Sequence, residues 1–529
     1  MSAPIAALAG RGMTLSDQLA RWARIRPGAS AVRFEGTGRT YAELDERVTR
    51  LARALAERGV RTGDRIAVLG RNSPQAWEAY LAGVRLGAIV VPVNFRMVAA
   101  EVAYALTDSG AVALIADAEL APVAANARRL APGVRTVLAI GDGPCGPDSE
   151  RYADAVAAAS PDPLDIAVDE GEPAFIMYTS GTTGSPKGAV LTHSNLLMHA
   201  FSQMGHLQWR PDELVACCSV PLFHIAGLAG MLPPMLLGGT NVIMRSGGFD
   251  PAATLDLIER ERVSTIFLVP VMLAAVVAVP DVTRRDLSCL RRISWGGAPA
   301  STSLLRAAIE TFPQVELVSG LGQTECSPGT CHLRGGDALR KIGSVGTPML
   351  NVEARIVDAA MNDVPHGEVG EIVYRSPMVM KEYWGKPEAT AQAFSGGWFH
   401  SGDLVRQDED GYIYVVDRMK DMIISGGENI YCAEVEDVLA AHPKVGEVAI
   451  IGVPDDKWGE VPLAVISASD PADPPSAEDL AAWCRQRLAG YKNPRQYSVG
   501  GPLPRNPSGK VLKDQLRRQA TARSHAQPG

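Results

Sequence analysis

Thr179-Ser180-Gly181-Thr182-Thr183-Gly184-Ser185-Pro186-Lys187-Gly188 decides how this chain is read. Glycines let a backbone take positive φ and bring its amides close to a ligand. Successive exposed amides form an anion-binding concavity, to which hydroxyls and a lysine add donors and charge. A loop of this make-up grips polyphosphate; the plainer alternative is a flexible Gly/Ser surface connection. The Walker-A pattern G-x-x-x-x-G-K-[ST] fails when started from Gly181, because Pro186 stands at its second glycine and Gly188 at its hydroxyl position. The flanks differ too. Residues 174–177 predict a strand, and Ala189-Val190-Leu191 predicts another before a helix capped near Thr192 or Ser194. The loop joins strand to strand, whereas a Walker-A loop runs directly into its helix.

Outward from the loop, strand and helix alternate on both sides. Upstream, residues 14–26 predict a helix, 33–41 a small hairpin and 42–59 a second helix. Strands at 65–69, 88–93, 112–115 and 136–140 follow, with helices at 74–86 and 99–109. A Pro-, Asp- and Gly-rich connection spans 141–172. Downstream, strands at 215–220, 241–244, 265–269, 292–294 and 316–319 alternate with helices at 225–237, 251–262, 270–279 and 301–310. This βαβ grammar predicts mainly parallel sheets covered by helices. Past Gly343 it changes: 352–357, 370–375 and 411–416 are strand-like with no long helix between them, which predicts an antiparallel sheet or small barrel. Polar Asp417-Arg418-Met419-Lys420-Asp421 precedes a compact unit with helices at 434–442 and 477–488 and strands at 447–452 and 462–467. The expected fold is α/β. A large N-terminal domain, 1–417, holds two α/β sheet subdomains and a small β-barrel-like one. A hinge at 418–420, a small mobile α+β C-terminal domain at 421–515 and a disordered tail at 516–529 complete it.

Bulk properties narrow the function. At 529 residues the chain exceeds one ordinary core. A net charge of −8 with no basic run argues against a nucleic-acid binder. The eight cysteines form no C-x-x-C pair and no zinc spacing with the nine histidines, so they read as reduced thiols of a cytoplasmic protein. The first ten residues lack a charged start and an apolar core, so no signal peptide is expected. Two uncharged runs, 214–244 and 263–280, are long enough to span a bilayer. The first is broken by Pro221, His224, Pro233-Pro234 and Gly238-Gly239 and the second by Pro270, so both are read as elements inside an α/β core.

The loop resembles the phosphate-loop signature of the adenylate-forming superfamily, which includes acyl-CoA synthetases, nonribosomal-peptide adenylation domains and luciferases. Further motifs in the same order extend the resemblance over nearly the whole chain. It implies that ATP and a carboxylate form an acyl-adenylate and pyrophosphate, and that a thiol, usually coenzyme A, then displaces AMP. Carried over residue by residue, it places Thr179, Ser180, Gly181, Thr182, Thr183, Gly184 and Lys187 on the phosphates, and Gly297, Ala298 and Pro299 at the adenine. Gly320-Leu321-Gly322-Gln323-Thr324-Glu325 supplies a phosphate contact in Thr324 and a Mg²⁺ ligand in Glu325, with Thr182 also at the metal. Many members have Tyr where this chain has Leu321, a position that borders the acyl pocket. Asp403, in Ser401-Gly402-Asp403, is implied to bind both ribose hydroxyls, Arg418 to reach the nucleotide, and Lys420 to be the hinge. Lys510, in Pro504-Arg505-Asn506-Pro507-Ser508-Gly509-Lys510, is the implied catalytic lysine. Ser425, Gly426, Gly427 and Glu428 line the implied pantetheine tunnel, and Trp458, Lys492 and Arg495 the CoA nucleotide. Cys432 stands where many relatives have Pro and reads as a tolerated substitution, not a nucleophile. His224 matches a position at the carboxylate end of the acyl tunnel; a lone histidine in an apolar run otherwise reads as a satisfied core residue. With Gly227, Gly296, Gly320 and Leu321 it makes the expected acyl pocket. The small residues Gly227, Ala229, Gly230 and Gly296 either leave room for a bulky or long acyl group or pack close against neighbouring backbone.

The resulting expectation is an AMP-forming carboxylic acid–CoA ligase using ATP, Mg²⁺ and coenzyme A on a medium- or long-chain or bulky polycyclic acid. The alternatives are an adenylating enzyme that loads a carrier protein or stops at acyl-AMP, and a non-catalytic nucleotide-binding protein on the same fold. The expected partners are small molecules, with no nucleic acid and no integral membrane segment. A homodimer is the guess for assembly.

Overall fold

The computed structural model describes residues 13–179, 186–210, 214–298, 300–426, 428–455, 457–505 and 511–526. Eight elements carry the site: β1 (Pro173–Thr179), β2 (Lys187–Thr192), α1 (His193–His206), α2 (Ile225–Gly230), β3 (Glu316–Gly322), β4 (Gly329–Leu333), β5 (Phe399–Gln407) and β6 (Ile413–Arg418).

Two large sheets make up most of the N-terminal domain. The first has eight strands in the order Glu382–Tyr383, β2, β1, Ile89–Val93, Arg65–Leu69, Ala111–Asp117, Thr136–Ile140 and Glu150–Arg151. The strands of its centre, RIAVL and IVVPV, are apolar almost throughout because helices cover both faces of a parallel sheet. Gly83, inside the helix Pro74–Arg85, shows how closely they press. A Cβ there would lie 2.5 Å from a Val90 methyl, so glycine's absent side chain sets the helix-to-sheet distance. The second sheet has nine strands and contains β4, β3, Arg292–Gly296, Thr265–Leu268, Val215–Cys218 and Thr240–Ile243 in that spatial order. Its far edge is the hairpin Ser30–Phe34 and Thr37–Thr40, with Val32 and Arg33 in parallel register with Asn241 and Val242. The first hairpin of the chain thus completes the sheet of the second half, and Glu382–Tyr383 returns to the edge of the first.

β1 and β2 pair antiparallel with Thr179 opposite Lys187, so the phosphate-loop segment connects two strands of one ladder. α1 then starts at His193, capped by Thr192. The Thr192 hydroxyl accepts from Asn195 N, and the Asn195 side chain accepts from Thr192 N. The uncharged stretch 214–244 folds as strand, loop, two short helices and strand; α2 and Leu232–Leu237 replace the single helix expected there. Among the described residues no helix is long and apolar enough to cross a membrane.

A four-stranded antiparallel sheet follows, Glu353–Val357, Gly370–Arg375, β5 and β6. The smaller C-terminal domain is built on Ile423–Ser425, Glu428–Ile430, Val445–Asp455, Gly459–Ala468 and Gln496–Gly500. The tail expected from 516 is instead part of a helix, Lys513–Ala526. Buried Leu516 docks it, and Arg517 pairs with Asp421 at 2.7 Å. A composition too polar to advertise a buried face hides this helix in the sequence. All eight cysteines are free thiols.

Candidate active site

The site forms where the β1–β2 hairpin meets the segment after β3. Of the residues singled out in the sequence, Ser180, Gly181, Thr182, Thr183, Gly184, Pro299, Gly427 and Lys510 lie outside the described residues. The rest can be placed. Thr179, at the end of β1, brings its hydroxyl to 3.4 Å from both the Lys187 carbonyl and Glu325 Oε1. Glu325 is buried and also accepts from the Tyr383 hydroxyl at 2.8 Å. Its backbone carbonyl accepts from Met380 N at 2.7 Å. Among the described residues no cation pairs with it. A buried carboxylate is ordinarily paired or bound to a metal, so a hydroxyl-bonded, cation-free Glu325 beside the phosphate loop suits Mg²⁺, which needs one or two protein carboxylates and takes its other oxygens from phosphate and water. Such a metal, when bound, neutralises phosphate charge. Among the described residues no cluster of three or more His, Cys, Asp and Glu side chains offers a metal cage. Glu325→Gln keeps the acceptor for Tyr383 and removes the charge. The Mg²⁺ concentration for half-maximal pyrophosphate exchange should then rise about 10-fold or more; an unchanged Mg²⁺ titration would remove Glu325 from the metal.

Tyr383 was not foreseen. It belongs to the two-residue edge strand against β2, where Tyr383 pairs with Ala189 and Trp384 N donates to Gly188 O at 2.8 Å. Lys187 Nζ lies 5.2 Å from the centre of its ring. Burial first and the Glu325 carboxylate second push the phenol's pKa far up, so it stays a donor. A second unforeseen group props the far end of the loop. Tyr104 donates to the Pro186 carbonyl at 2.9 Å, and its ring packs edge-on against Tyr178. Tyr178 and Lys386 each bond Asp108 at 2.8 Å. Only a pattern of long-range pairs marks these residues, and a single sequence carries no such signal.

On the other side, Asp403 and Arg418 are cross-strand partners on β5 and β6, with Arg418 Nε 2.9 Å from Asp403 Oδ1. Ser401 Oγ accepts from Asp403 N, and Gln323 Nε2 reaches the Ser401 carbonyl at 3.4 Å, tying β5 to the segment after β3. Gly297 has φ +80° with open space beside it, a turn that lets a flat group approach the backbone after Arg292–Gly296. Gly322 is obligatory for a different reason: at φ +157° a Cβ would lie 1.9 Å from the Pro328 carbonyl. Thr324 opens a short 3₁₀ turn through Cys326.

His224 caps α2 with Nδ1 accepting from Ala226 N at 3.2 Å. Burial holds its pKa below the usual imidazole range, so the neutral ring carries its hydrogen on Nε2. Gly227 and Gly296 are small because backbone crowds them. A Cβ at Gly227 would lie 2.2 Å from the Pro221 carbonyl, and one at Gly296 2.6 Å from the Gly320 carbonyl. Of the two readings open for these glycines, close packing against backbone is the one that fits Gly227 and Gly296. At Gly230 there is open space.

In the C-terminal domain, Gly426 has φ +60° and its N–H donates to the Trp458 carbonyl at 2.8 Å, while the Trp458 ring fills the space of a Cβ. Arg495 stacks on Trp458 at 5.3 Å and Lys457 at 4.8 Å. Lys492 is engaged elsewhere, 2.7 Å from both Glu434 carboxylate oxygens. Ser425 is buried next to this group and Glu428 is exposed on its strand. Lys420 is exposed between two buried acids, Asp417, which accepts from Cys432 N, and Asp421. Cys432 Sγ points at the Asp421 carbonyl, and burial pushes its thiol far up, which suits an inert residue.

Residues 19–384 match the model for AMP-binding enzymes and residues 434–510 that for the AMP-binding enzyme C-terminal domain. A feruloyl-CoA synthase from Amycolatopsis sp is 44% identical over 509 residues, 96% of this chain and 99% of that protein. A long-chain-fatty-acid–CoA ligase, FadD13 of Mycobacterium tuberculosis, is 39% identical over 488 residues, covering 91% and 93%. The o-succinylbenzoate CoA synthetase of Bacillus subtilis superposes in complex with its acyl-adenylate at a TM-score of 0.85 and 33% identity, covering 94% of this chain and 97% of that one. In complex with ATP and magnesium ion the same enzyme gives 0.84 and 32%, over 94% and 98%. The chain belongs to the AMP-binding enzyme family of acyl-CoA synthetases. It is an AMP-forming acid–thiol ligase, and the ATP and magnesium ion held by the Bacillus subtilis relative accord with the expected cofactors.

Proposed function

We propose that the chain couples a ring-bearing carboxylic acid to coenzyme A in two steps. In the first, a carboxylate oxygen of the acid attacks the α-phosphorus of ATP and pyrophosphate leaves. In the second, the sulfur of coenzyme A attacks the acyl carbon and AMP leaves. The observation that carries this reading is Glu325, a buried carboxylate free of cations among the described residues, held by Tyr383 and Thr179 at the mouth of the phosphate loop. Around it, the loop residues Thr179 to Gly184 and Lys187 bind the β- and γ-phosphates with Thr324, Gly297 to Pro299 receive the adenine, and Asp403 exchanges part of its bond to Arg418 for the ribose hydroxyls. One carboxylate can accept two hydrogen bonds from a vicinal diol. Neutral His224 donates from Nε2 toward the acid, and Gly320 and Leu321 form the acyl wall. Trp458 and Arg495 offer an aromatic face and a cation to the CoA nucleotide. The feruloyl group in the name of the 44%-identical relative favours a ring over a plain chain.

The two half-reactions separate experimentally. Acid-dependent pyrophosphate exchange, screened over aliphatic, aromatic and polycyclic acids, followed by trapping with coenzyme A, should give the highest kcat/KM and a thioester with a ring-bearing acid. Exchange without thioester would point to a carrier protein or no thiol acceptor. Exchange confined to aliphatic acids would overturn the ring.

A further inference from the structure

His199 on α1 and His332 on β4 both approach Gly329, and each ring has one nitrogen engaged. Gly329 N donates to His199 Nε2 at 3.1 Å, so that nitrogen is unprotonated and the neutral ring keeps its hydrogen on Nδ1. His332 Nδ1 lies 3.1 Å from the Ser319 carbonyl, which can only accept, so His332 holds its hydrogen on Nδ1 and leaves Nε2 as a bare acceptor. His199 Nδ1 and His332 Nε2 are both buried without a hydrogen-bond partner among the described residues. Burial holds the two imidazoles at about 3 and about 4 respectively, so both rings are neutral at pH 7. One unmet donor and one unmet acceptor, on two buried rings that both approach Gly329, are costly to leave dry.

Their position gives them a use. Gly320 and His332 are cross-strand partners, so their side chains share a face of the sheet. A Cβ at position 320 would fall 3.1 Å from His332 Cε1 and 3.2 Å from Nδ1. The imidazole takes the place that a side chain at 320 would hold. A Cβ at Gly329 would lie 3.1 Å from His199 Nε2 and 3.3 Å from His332 Nε2, so the two rings close around that glycine. We infer that the acyl pocket ends on His199 and His332 and takes an acid with a hydroxyl at its distal end, which donates to His332 Nε2 and accepts from His199 Nδ1. This rests on the reading of Gly320 and Leu321 as acyl wall. A hydroxyl has the one donor and the spare acceptor that the pair needs. A second carboxylate would bring charge to neutral rings with no donor for His332, and an alkyl end would leave both nitrogens unmet. The rival occupant is an internal water, which meets the same two groups without regard to substrate.

Matched acids decide between them. Pyrophosphate exchange is measured with 4-hydroxycinnamate against cinnamate and with an ω-hydroxyalkanoate against the alkanoate of equal length. A site built to bond a hydroxyl discriminates strongly against the analogue lacking it, so kcat/KM should favour the hydroxylated member of at least one pair by about 10-fold or more. In His332→Leu and in His199→Leu that ratio should collapse toward one. A wild-type ratio of one or less in every pair overturns the inference and leaves the histidines to a water, with no variant needed; a preference that survives in both folded variants overturns it equally. If both cinnamates fail while the aliphatic pair reacts, the ring proposed above is wrong and the ω-hydroxy pair alone decides the hydroxyl. If no acid supports exchange, adenylation itself is wrong and the inference falls with it.

Discussion

Lys510→Ala is expected to lower acid-dependent pyrophosphate exchange by about 100- to 1000-fold, the usual effect of removing one preorganised charge from a transition state. Thioester formation from supplied acyl-adenylate and coenzyme A should stay within a few fold of wild type. The asymmetry follows from the charges. In adenylation an anionic carboxylate approaches a polyanionic phosphate, and the α-phosphorus gains charge on its oxygens as pyrophosphate departs; a fixed cation there lowers the barrier directly. In thioester formation the electrophile is an acyl carbon: charge develops on its carbonyl oxygen and then on the AMP oxygen as that C–O bond breaks, and no bond forms or breaks at phosphorus. The described residues on either side of residues 506–510 are anchored. Arg505 and Val511 form a bridge pair, Leu512 N donates to the Pro504 carbonyl at 2.8 Å, and Arg505 is tied to Glu447 at 2.7 Å. Lys187, in the more conspicuous motif, lies over the Tyr383 ring at the start of β2, a place suited to the departing phosphates. Lys187→Ala should raise the KM for ATP more than it lowers kcat. Equal loss in both half-reactions of Lys510→Ala would mean that the lysine holds the domain or the nucleotide and has no special part in the first step.

What the sequence reveals follows how local the physics is. The strand-to-strand loop is legible because short apolar runs flank it and Thr192 with Asn195 spells a helix start within four residues. Glu325 and Asp403 stand out only through motif order, since a lone acid after a glycine-rich stretch looks like any loop carboxylate. Tyr383 is invisible for a different reason. Its strand is two residues long, and its partners Ala189 and Glu325 are 194 and 58 residues away in sequence. The His199–His332 pair is hidden likewise, because hydrogen-bond demand left unmet is a property of a packed interior. Gly227 and Gly296 mislead in the other direction: composition cannot tell a glycine that opens space from one on which backbone already presses. The terminal helix escapes because one buried position among its described side chains, Leu516, is too few to show a period.

Glu78→Ala is expected to be the most destabilising single change outside the site, by about 3 kcal/mol, at the low end of what breaking a buried ion pair costs. Glu78 sits mid-helix in the apolar run PQAWEAYLAGVR, and its side chain is 0% exposed. Arg47 binds it through Nε at 2.8 Å and Nη2 at 3.0 Å, Arg39 through Nε at 3.0 Å, and the Tyr152 hydroxyl at 2.6 Å. One carboxylate thus fastens the first hairpin and the helices Tyr41–Glu57 and Tyr152–Ala158 to Pro74–Arg85. Burial works against the Arg47 charge, yet Glu78 holds its pKa above the ordinary value; burial and then Glu78 push the Tyr152 phenol far up. Alanine would leave two guanidinium groups facing each other and a phenol without an acceptor. The arginines keep 21% and 31% of their side-chain surface, and water reaching them limits the penalty to the lower figure. The urea midpoint of the N-terminal domain should fall by roughly 0.5–1 M at unchanged slope. Glu78→Gln, which retains an acceptor for Tyr152 and one arginine, should recover part of the loss. Among the described residues no member of the cluster touches Glu325 or Asp403, so the KM for ATP of the folded fraction should stay within about two-fold, well under the tenfold that 1.4 kcal/mol represents. A midpoint that does not move would mean that the two arginines find solvent as readily as they find Glu78, and that apolar packing around Trp77 and Tyr80 alone holds these helices to the sheet.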